Sequence, residues 1–287
     1  MTKLKISELF YSIQGEGRYM GVPSVFLRTF GCNFTCSGFG MPRGEKSIER
    51  DTIAFMNENQ PYEDYKALPL VKTGCDSYAS WDVRFKHLSP NLDIETIIDK
   101  IIEMLPYNEW RDEHLVITGG EPLLGWQRAY PELLSDTKMK SLKEITFETN
   151  GTQPLSPEFR QYLLNWSLGR KDRGYNALTF SVSPKLSGSG EKREEAICPD
   201  IIEQYQGVGY TYLKFVVATA EDADEAIKVI ALYKAAGFNG PVYLMPVGGV
   251  ESVYAMNNRT VADLAMKNGL RYSDRLQVPL FKNLWGT

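Results

Sequence analysis

Cys32 and Cys36 fall in Gly31-Cys32-Asn33-Phe34-Thr35-Cys36, directly after the apolar run Ser24–Phe30. Cysteine packs well as a small buried hydrophobe, but a polar loop flanked by glycine gives packing no reason to select a thiol. Thiolates clustered in a loop suit an iron–sulfur cluster or zinc. Cys75 follows in Gly74-Cys75-Asp76-Ser77. Cys198 stands alone in a helix or loop, where packing as a small apolar side chain accounts for it.

Three further segments carry groups capable of chemistry. Thr118-Gly119-Gly120-Glu121-Pro122 closes the apolar run His114–Thr118. Barrel and open-sheet enzymes bind ligands at the C-terminal ends of their strands, and two glycines let backbone groups approach a ligand closely. A tight βα turn with Pro122 as first helical residue explains the same residues. In Tyr11-Ser12-Ile13-Gln14-Gly15-Glu16-Gly17, Gln14 offers a donor and an acceptor, and Glu16 accepts; together they could read the edge of a heterocycle. Arg28 presents a planar fork suited to a carboxylate. A polar hairpin turn with a surface salt bridge is the competing reading. Ser183-Pro184-Lys185 and Met245-Pro246-Val247-Gly248 each place a proline just past an apolar run, as ordinary turns do. Their value lies in falling on the same rim as the other segments.

The elements that must position these groups alternate. Strands are expected at Ser24–Phe30, His114–Thr118, Glu144–Glu148, Leu178–Ser183, Thr211–Val217, Pro241–Met245 and Arg275–Val278. Helices are expected at Ile94–Leu105, Trp126–Leu134, Pro157–Trp166, Glu221–Ala236 and Glu251–Lys267. In Glu221–Ala236 the positions Ala223, Ala226, Ile227, Ile230, Ala231 and Lys234 form a helical stripe. Such alternation reads as an α/β protein of βα units around a parallel sheet, a barrel or partial barrel, with a doubly wound open sheet as the alternative. The chain is read as a single domain, 1–287. The 38 residues between Cys36 and Cys75 break the rhythm with Gly38, Gly40, Pro42, Gly44, Pro61 and Pro69. Structureless loops beyond about 12–15 residues are uncommon, so 37–74 reads as an insertion on the rim, with one helix over Ser47–Glu58. Gly188–Arg193 reads as a mobile loop.

Composition narrows the class. The chain has 287 residues, 43% hydrophobic and 24% charged, which excludes collagen-like, disordered and disulfide-scaffold proteins. No apolar run approaches the roughly 18–20 residues of a membrane helix, and the N-terminal residues lack a signal-peptide stretch, so a cytoplasmic protein is expected. With 32 basic against 36 acidic residues the net charge is −4, which favours a small-molecule partner over nucleic acid. The two histidines, His87 and His114, leave little room for histidine-based chemistry.

In combination, the Cys-x3-Cys loop after the first barrel strand, the Gly-Gly-Glu-Pro turn and the βα alternation resemble a radical S-adenosylmethionine (SAM) enzyme. Tyr11–Gly17, Gly21-x-Pro23, Arg28 and Gly31-Cys32-Asn33 resemble more specifically the 7-carboxy-7-deazaguanine synthase family, as do Ser183-Pro184-Lys185, Met245-Pro246 and Leu276-Gln277-Val278-Pro279-Leu280-Phe281-Lys282. The resemblance covers most of the chain outside 37–74.

It implies a partial (β/α)6 TIM-like barrel, usually a homodimer. It also implies a lyase that converts 6-carboxy-5,6,7,8-tetrahydropterin to 7-carboxy-7-deazaguanine with loss of ammonia, a step toward queuosine and related 7-deazaguanines. The implied cofactors are a [4Fe-4S] cluster, SAM and Mg2+, with an electron donor such as flavodoxin or ferredoxin. Carried onto this chain, Cys32, Cys36 and Cys75 would hold the cluster. Gly120, Ser183, Pro184, Lys185, Met245, Pro246, Val247 and Gly248 would contact SAM. Ile13, Gln14, Gly15, Glu16, Arg28 and Thr118 would face the pterin. Ser77 would ligate Mg2+ in place of the family's threonine, with Asp76 as the other hard-oxygen candidate.

The family's cluster motif is Cys-x3-Cys-x2-Cys, and its third position here is Phe39. Cys75 is the expected third ligand, because Cys75-Asp76-Ser77 resembles the Cys-Asp-Thr that ends the family's cluster loop; Cys198 is the rival. The family often has His before the C-terminal Lys, where this chain has Phe281. Two other readings compete: a radical SAM activase that installs a glycyl radical on a partner protein, and a zinc-stabilised binding protein using Cys32, Cys36, Cys75 and His87.

Overall fold

The apolar runs lie side by side as one nine-stranded sheet in the computed structural model, which describes residues 2–170 and 174–287. The strands are β1 (Lys3–Ile13), β2 (Pro23–Thr29), β3 (Asn91–Asp93), β4 (His114–Gly119), β5 (Ile145–Thr149), β6 (Leu178–Val182), β7 (Tyr210–Val217), β8 (Val242–Pro246) and β9 (Arg271–Tyr272). Their order is β3-β1-β2-β4-β5-β6-β7-β8-β9. Every pairing from β2 to β9 is parallel, whereas β1 runs antiparallel to both β2 and β3. The run β2, β4, β5, β6, β7, β8 with its outer helices is the partial (β/α)6 barrel.

β4, β6 and β8 are buried at every position. A parallel strand faces helices on one side and the filled interior on the other, so it reads as a continuous apolar run rather than an alternating one. The helices are α1 (Glu49–Asn59), α2 (Ile94–Met104), α3 (Tyr130–Ser135), α4 (Pro157–Leu168), α5 (Arg193–Ala196), α6 (Pro199–Gln206), α7 (Ala220–Ala235), α8 (Glu251–Lys267) and α9 (Gln277–Phe281). Local chemistry sets their starts. α4 opens with a Ser156 cap that accepts from Phe159 N, with Pro157 in its first turn. α7 opens on a Thr219/Asp222 capping box. Its buried face is Ala223, Ala226, Val229, Ile230 and Tyr233, while Ile227 from the expected stripe is 38% exposed. No helix among the described residues is long and apolar enough to cross a membrane.

Four expectations need correction. β1 opens the sheet yet is absent from the expected strands, because its polar and apolar residues alternate only loosely. Arg275–Val278 is not a strand. The backbone turns into α9 there, because the buried side chain of Arg275 is held by ion pairs inside the barrel mouth. The helix expected from Trp126 begins only at Tyr130, after a turn. Gly188–Arg193 is pinned rather than free: Ser189 is fully buried and its carbonyl accepts from Gly38 N at 2.9 Å.

The segment 37–74 contains α1 over nearly the expected range and leaves the barrel core alone. Ile53, Ala54, Tyr65, Leu68 and Val71 pack with Tyr78, Ala79 and Phe85 into a second apolar cluster, closed by Trp81 and Trp285.

Candidate active site

The C-terminal ends of the parallel strands open into one cavity, and the predicted site residues converge there. Cys32, Cys36, Cys75 and Ser77 line it, as do Ile13, Gln14, Gly15, Glu16, Arg28 and Thr118. Gly120, Ser183, Lys185, Met245, Pro246, Val247 and Gly248 complete the rim; Pro184 does not line it.

The cysteine loop owes its place to two glycines. A Cβ on Gly120 would stand 2.5 Å from Gly31 O and 2.6 Å from the Cys32 Cβ. A Cβ on Gly119 would stand 2.5 Å from Thr29 O. No real side chain tolerates such contacts, so the Gly-Gly turn is what lets the end of β4 press against the Gly31–Cys32 backbone. Glu121 extends the join. Its amide donates to Gly31 O at 2.8 Å, and its fully buried carboxylate accepts from Leu123 N, Thr149 Oγ1 and Asn150 N. Burial pushes this carboxyl up to about 7, against those hydrogen bonds.

The third thiol arrives by a detour. Gly74 N donates to Phe39 O at 2.7 Å and Ser47 N donates to Ser37 O at 2.7 Å, so the chain leaves and returns at the same place. Cys75 thereby comes beside Phe39, Cys36 and Cys32 in one apolar cluster. Cys198 caps α6, its sulfur 3.6 Å from Glu195 O, and does not line the cavity.

All of these thiols are free. Burial pushes Cys32 up to about 12 and raises Cys36 and Cys75. Thiols that burial keeps protonated become ligands when metal cations replace their protons, so this donor set fits an iron–sulfur cluster. Among the described residues no three His, Cys, Asp or Glu side chains converge on a single ion. A cluster asks for something different, since each thiolate binds its own iron across the body of the cluster. The proposed zinc set is not assembled: His87 bonds Tyr62 O at 3.0 Å, away from the cavity.

The heterocycle-reading residues are more heavily engaged than their types suggest. Gln14 Nε2 donates to Glu148 Oε1 at 3.0 Å, and Gln14 Oε1 accepts from Glu16 N at 3.0 Å. One N–H and one lone pair of the amide remain for a ligand. Glu16 does not offer a free carboxylate. It is ion-paired to Lys214 and Arg275, and accepts from Gln277 Nε2 at 2.9 Å. Burial opposes its charge, but Lys214 and Arg275 outweigh burial and hold its carboxyl down at about 2. Arg28 places Nε 2.8 Å from the buried Glu8, so the salt bridge is internal rather than on the surface.

Arg275 ties the subsites together. Its guanidinium reaches Glu16 Oε1 at 3.2 Å, Asp76 Oδ2 at 2.6 Å and the carbonyl of Gly248. Asp76, the alternative Mg2+ ligand, therefore already has a strong cationic partner.

Sequence reasoning missed Glu148, Lys214, Arg275 and Gln277, all of which line the cavity. Lys214 carried a legible signal, a charge inside the apolar run Leu213–Val217, since Lys is almost never fully buried unless paired. Gln277 carried none: only the fold shows that a Cβ on Gly15 would fall 1.8 Å from Gln277 Oε1.

No family model matches the chain. Among curated proteins, a 7-carboxy-7-deazaguanine synthase of Halobacterium salinarum is 30% identical over 98% of this chain and 91% of its own length. Its namesake in Rhodopirellula baltica is 30% identical over 100% and 90%, and that in Pyrobaculum aerophilum 27% over 99% and 97%. A crystal structure of QueE from Escherichia coli superposes with a TM-score of 0.54 over 94% of this chain and 93% of that one. At 18% identity, that likeness speaks to the fold. Full-length similarity to these synthases, in a chain whose thiols and strand-end motifs meet in one cavity, places it in the 7-carboxy-7-deazaguanine synthase family.

Proposed function

We propose that this chain converts 6-carboxy-5,6,7,8-tetrahydropterin to 7-carboxy-7-deazaguanine with release of ammonia, as a radical SAM lyase. The observation that carries the reading is the meeting of three free thiols and the Gln14, Glu16 and Arg28 constellation in one strand-end cavity. An activase acting on a protein backbone would have no use for that constellation.

When bound, the cluster and SAM would supply one-electron radical chemistry. Cys32, Cys36 and Cys75 would hold the cluster. Gly120, Ser183, Lys185 and the Met245–Gly248 turn would seat SAM, with Lys185 Nζ 3.2 Å from Ser183 Oγ. The pterin would lie against Ile13–Glu16 and Thr118, its carboxylate on Arg28, whose guanidinium Glu8 holds in place. Glu148 and Lys214 join this wall. Ser77 would offer Mg2+ its hydroxyl oxygen. The functional unit would be a homodimer reduced by a flavodoxin or ferredoxin.

The test is anaerobic reconstitution with iron and sulfide, then turnover with SAM and carboxytetrahydropterin. A brown protein whose visible band bleaches on reduction and which releases ammonia and 7-carboxy-7-deazaguanine supports the reading. A protein with a full cluster that cleaves SAM but leaves the pterin unchanged sinks it.

A further inference from the structure

The segment after β6 reaches across to the cluster loop. One oxygen of Glu191, Oε1, accepts from Thr35 N at 2.8 Å, Cys36 N at 2.6 Å and Thr35 Oγ1 at 3.1 Å. Beside it, the carbonyl of Ser189 accepts from Gly38 N at 2.9 Å. The two backbones are so close that a Cβ on Gly38 would stand 2.7 Å from Gly190 N. Cys36 itself has φ 47°, the left-handed region that a non-glycine residue enters only under external constraint. The constraint has an evident source, a carboxylate that draws the two successive amides of Thr35 and Cys36 onto one oxygen.

We propose that Glu191 is a positioning residue for the cluster: it fixes the left-handed turn at Cys36, which directs the thiol toward Cys32 and Cys75, and it sets a carboxylate beside that ligand. The proposal rests on these cysteines holding the cluster. Two consequences follow and can be separated. The geometric one needs an acceptor oxygen at this place, which glutamine also supplies. The electrostatic one needs the charge, which only glutamate supplies. Hydrogen bonds and net charge around a cluster tune its potential, and a fixed negative charge disfavours the added electron.

The experiment compares wild type, Glu191→Gln, Glu191→Ala and Cys36→Ala after anaerobic reconstitution. Iron per chain, thermal unfolding of the apo protein, and the midpoint potential by EPR-monitored titration are measured. Glu191→Gln is expected to keep wild-type iron with a midpoint shifted to more positive potential. Glu191→Ala is expected to lose at least half of the iron while the apo barrel unfolds within a few degrees of wild type. Full iron with an unshifted potential in Glu191→Ala overturns the proposal. So does equal iron loss in both Glu191 variants, or an unshifted potential in Glu191→Gln, which decides the matter should Glu191→Ala fail to fold. Full iron in Cys36→Ala instead refutes the cluster assignment on which the proposal rests.

Discussion

The amide of Gly74 donates to the carbonyl of Phe39 at 2.7 Å, and this one bond closes the long interruption between Cys36 and Cys75. Phe39 occupies the position where the family's motif has its third cysteine. The excursion that follows closes on itself, builds its own apolar cluster around α1, and returns the chain one residue before Cys75. The ends of a loop can be held together at an entropic cost that grows only slowly with its length. The pinned base therefore brings Cys75 beside Phe39, against the same apolar cluster as Cys36.

That relationship makes a substitution pair decisive. Cys75→Ala is expected to lose most of the cluster iron, whereas Cys198→Ala keeps it. Introducing Phe39→Cys into Cys75→Ala should restore iron content and the visible absorption band. Failure of the rescue together with loss of iron in Cys198→Ala would move the third ligand to α6.

Arg275 joins Glu16, Asp76 and Gly248, so its loss should be felt in more than one subsite. Arg275→Met leaves Asp76 without its cation and Glu16 with Lys214 alone, and should lower the melting temperature. Arg275→Lys keeps the charge but not the fork. It is expected to fold and to weaken both pterin and SAM, each by about tenfold, or ~1.4 kcal/mol. Steady-state kinetics in both substrates checks this; a change confined to one of them contradicts the bridging role.

Glu16 predicts a pH dependence of stability. Its carboxyl lies at about 2 in the fold against an ordinary 4.5. A depressed folded value contributes stability that is fully present above pH 4.5 and lost as pH falls toward 2. Urea unfolding of wild type between pH 6 and pH 3 should show that loss, and Glu16→Gln should show less of it. Identical slopes in the two proteins would contradict the ion-pair account.

Arg28→Ala should raise KM for the pterin by about 10–100-fold, since a hydrogen bond to a charged group contributes about 1.5–3 kcal/mol. A pterin lacking the 6-carboxylate should bind wild type and variant alike. Arg28→Lys, which keeps a cation beside Glu8, separates loss of the contact from damage to the fold. If the variants discriminate equally between the two pterins, the carboxylate role is wrong.

Much of this was legible in the chain. The Cys-x3-Cys loop, the Gly-Gly-Glu-Pro turn and the opening Ile13–Glu16 segment were identifiable because backbone approach, metal ligation and edge-reading each demand residue types that packing alone does not select. The barrel strands were legible because parallel strands buried on both faces need unbroken apolar runs. Ile227 was misplaced because alanine-rich helices leave the angular width of the buried stripe ill defined. Arg275–Val278 was misread because its alternating polar and apolar residues fit a strand as well as they fit a buried ionic turn.

The sequence by itself determined most of the barrel strands and helices, the donor types and the family, since those follow from local residue chemistry and from linear spacing. Only the tertiary structure decided which cysteine stands beside which. It also decided that Glu16 is bound by Lys214 and Arg275, and that Glu191 grips the turn at Cys36. The reason is physical: these partners lie 155 to 259 positions apart along the chain. Their charges and hydrogen bonds become strong only where the sheet's parallel register brings the strand ends together and burial removes the water between them.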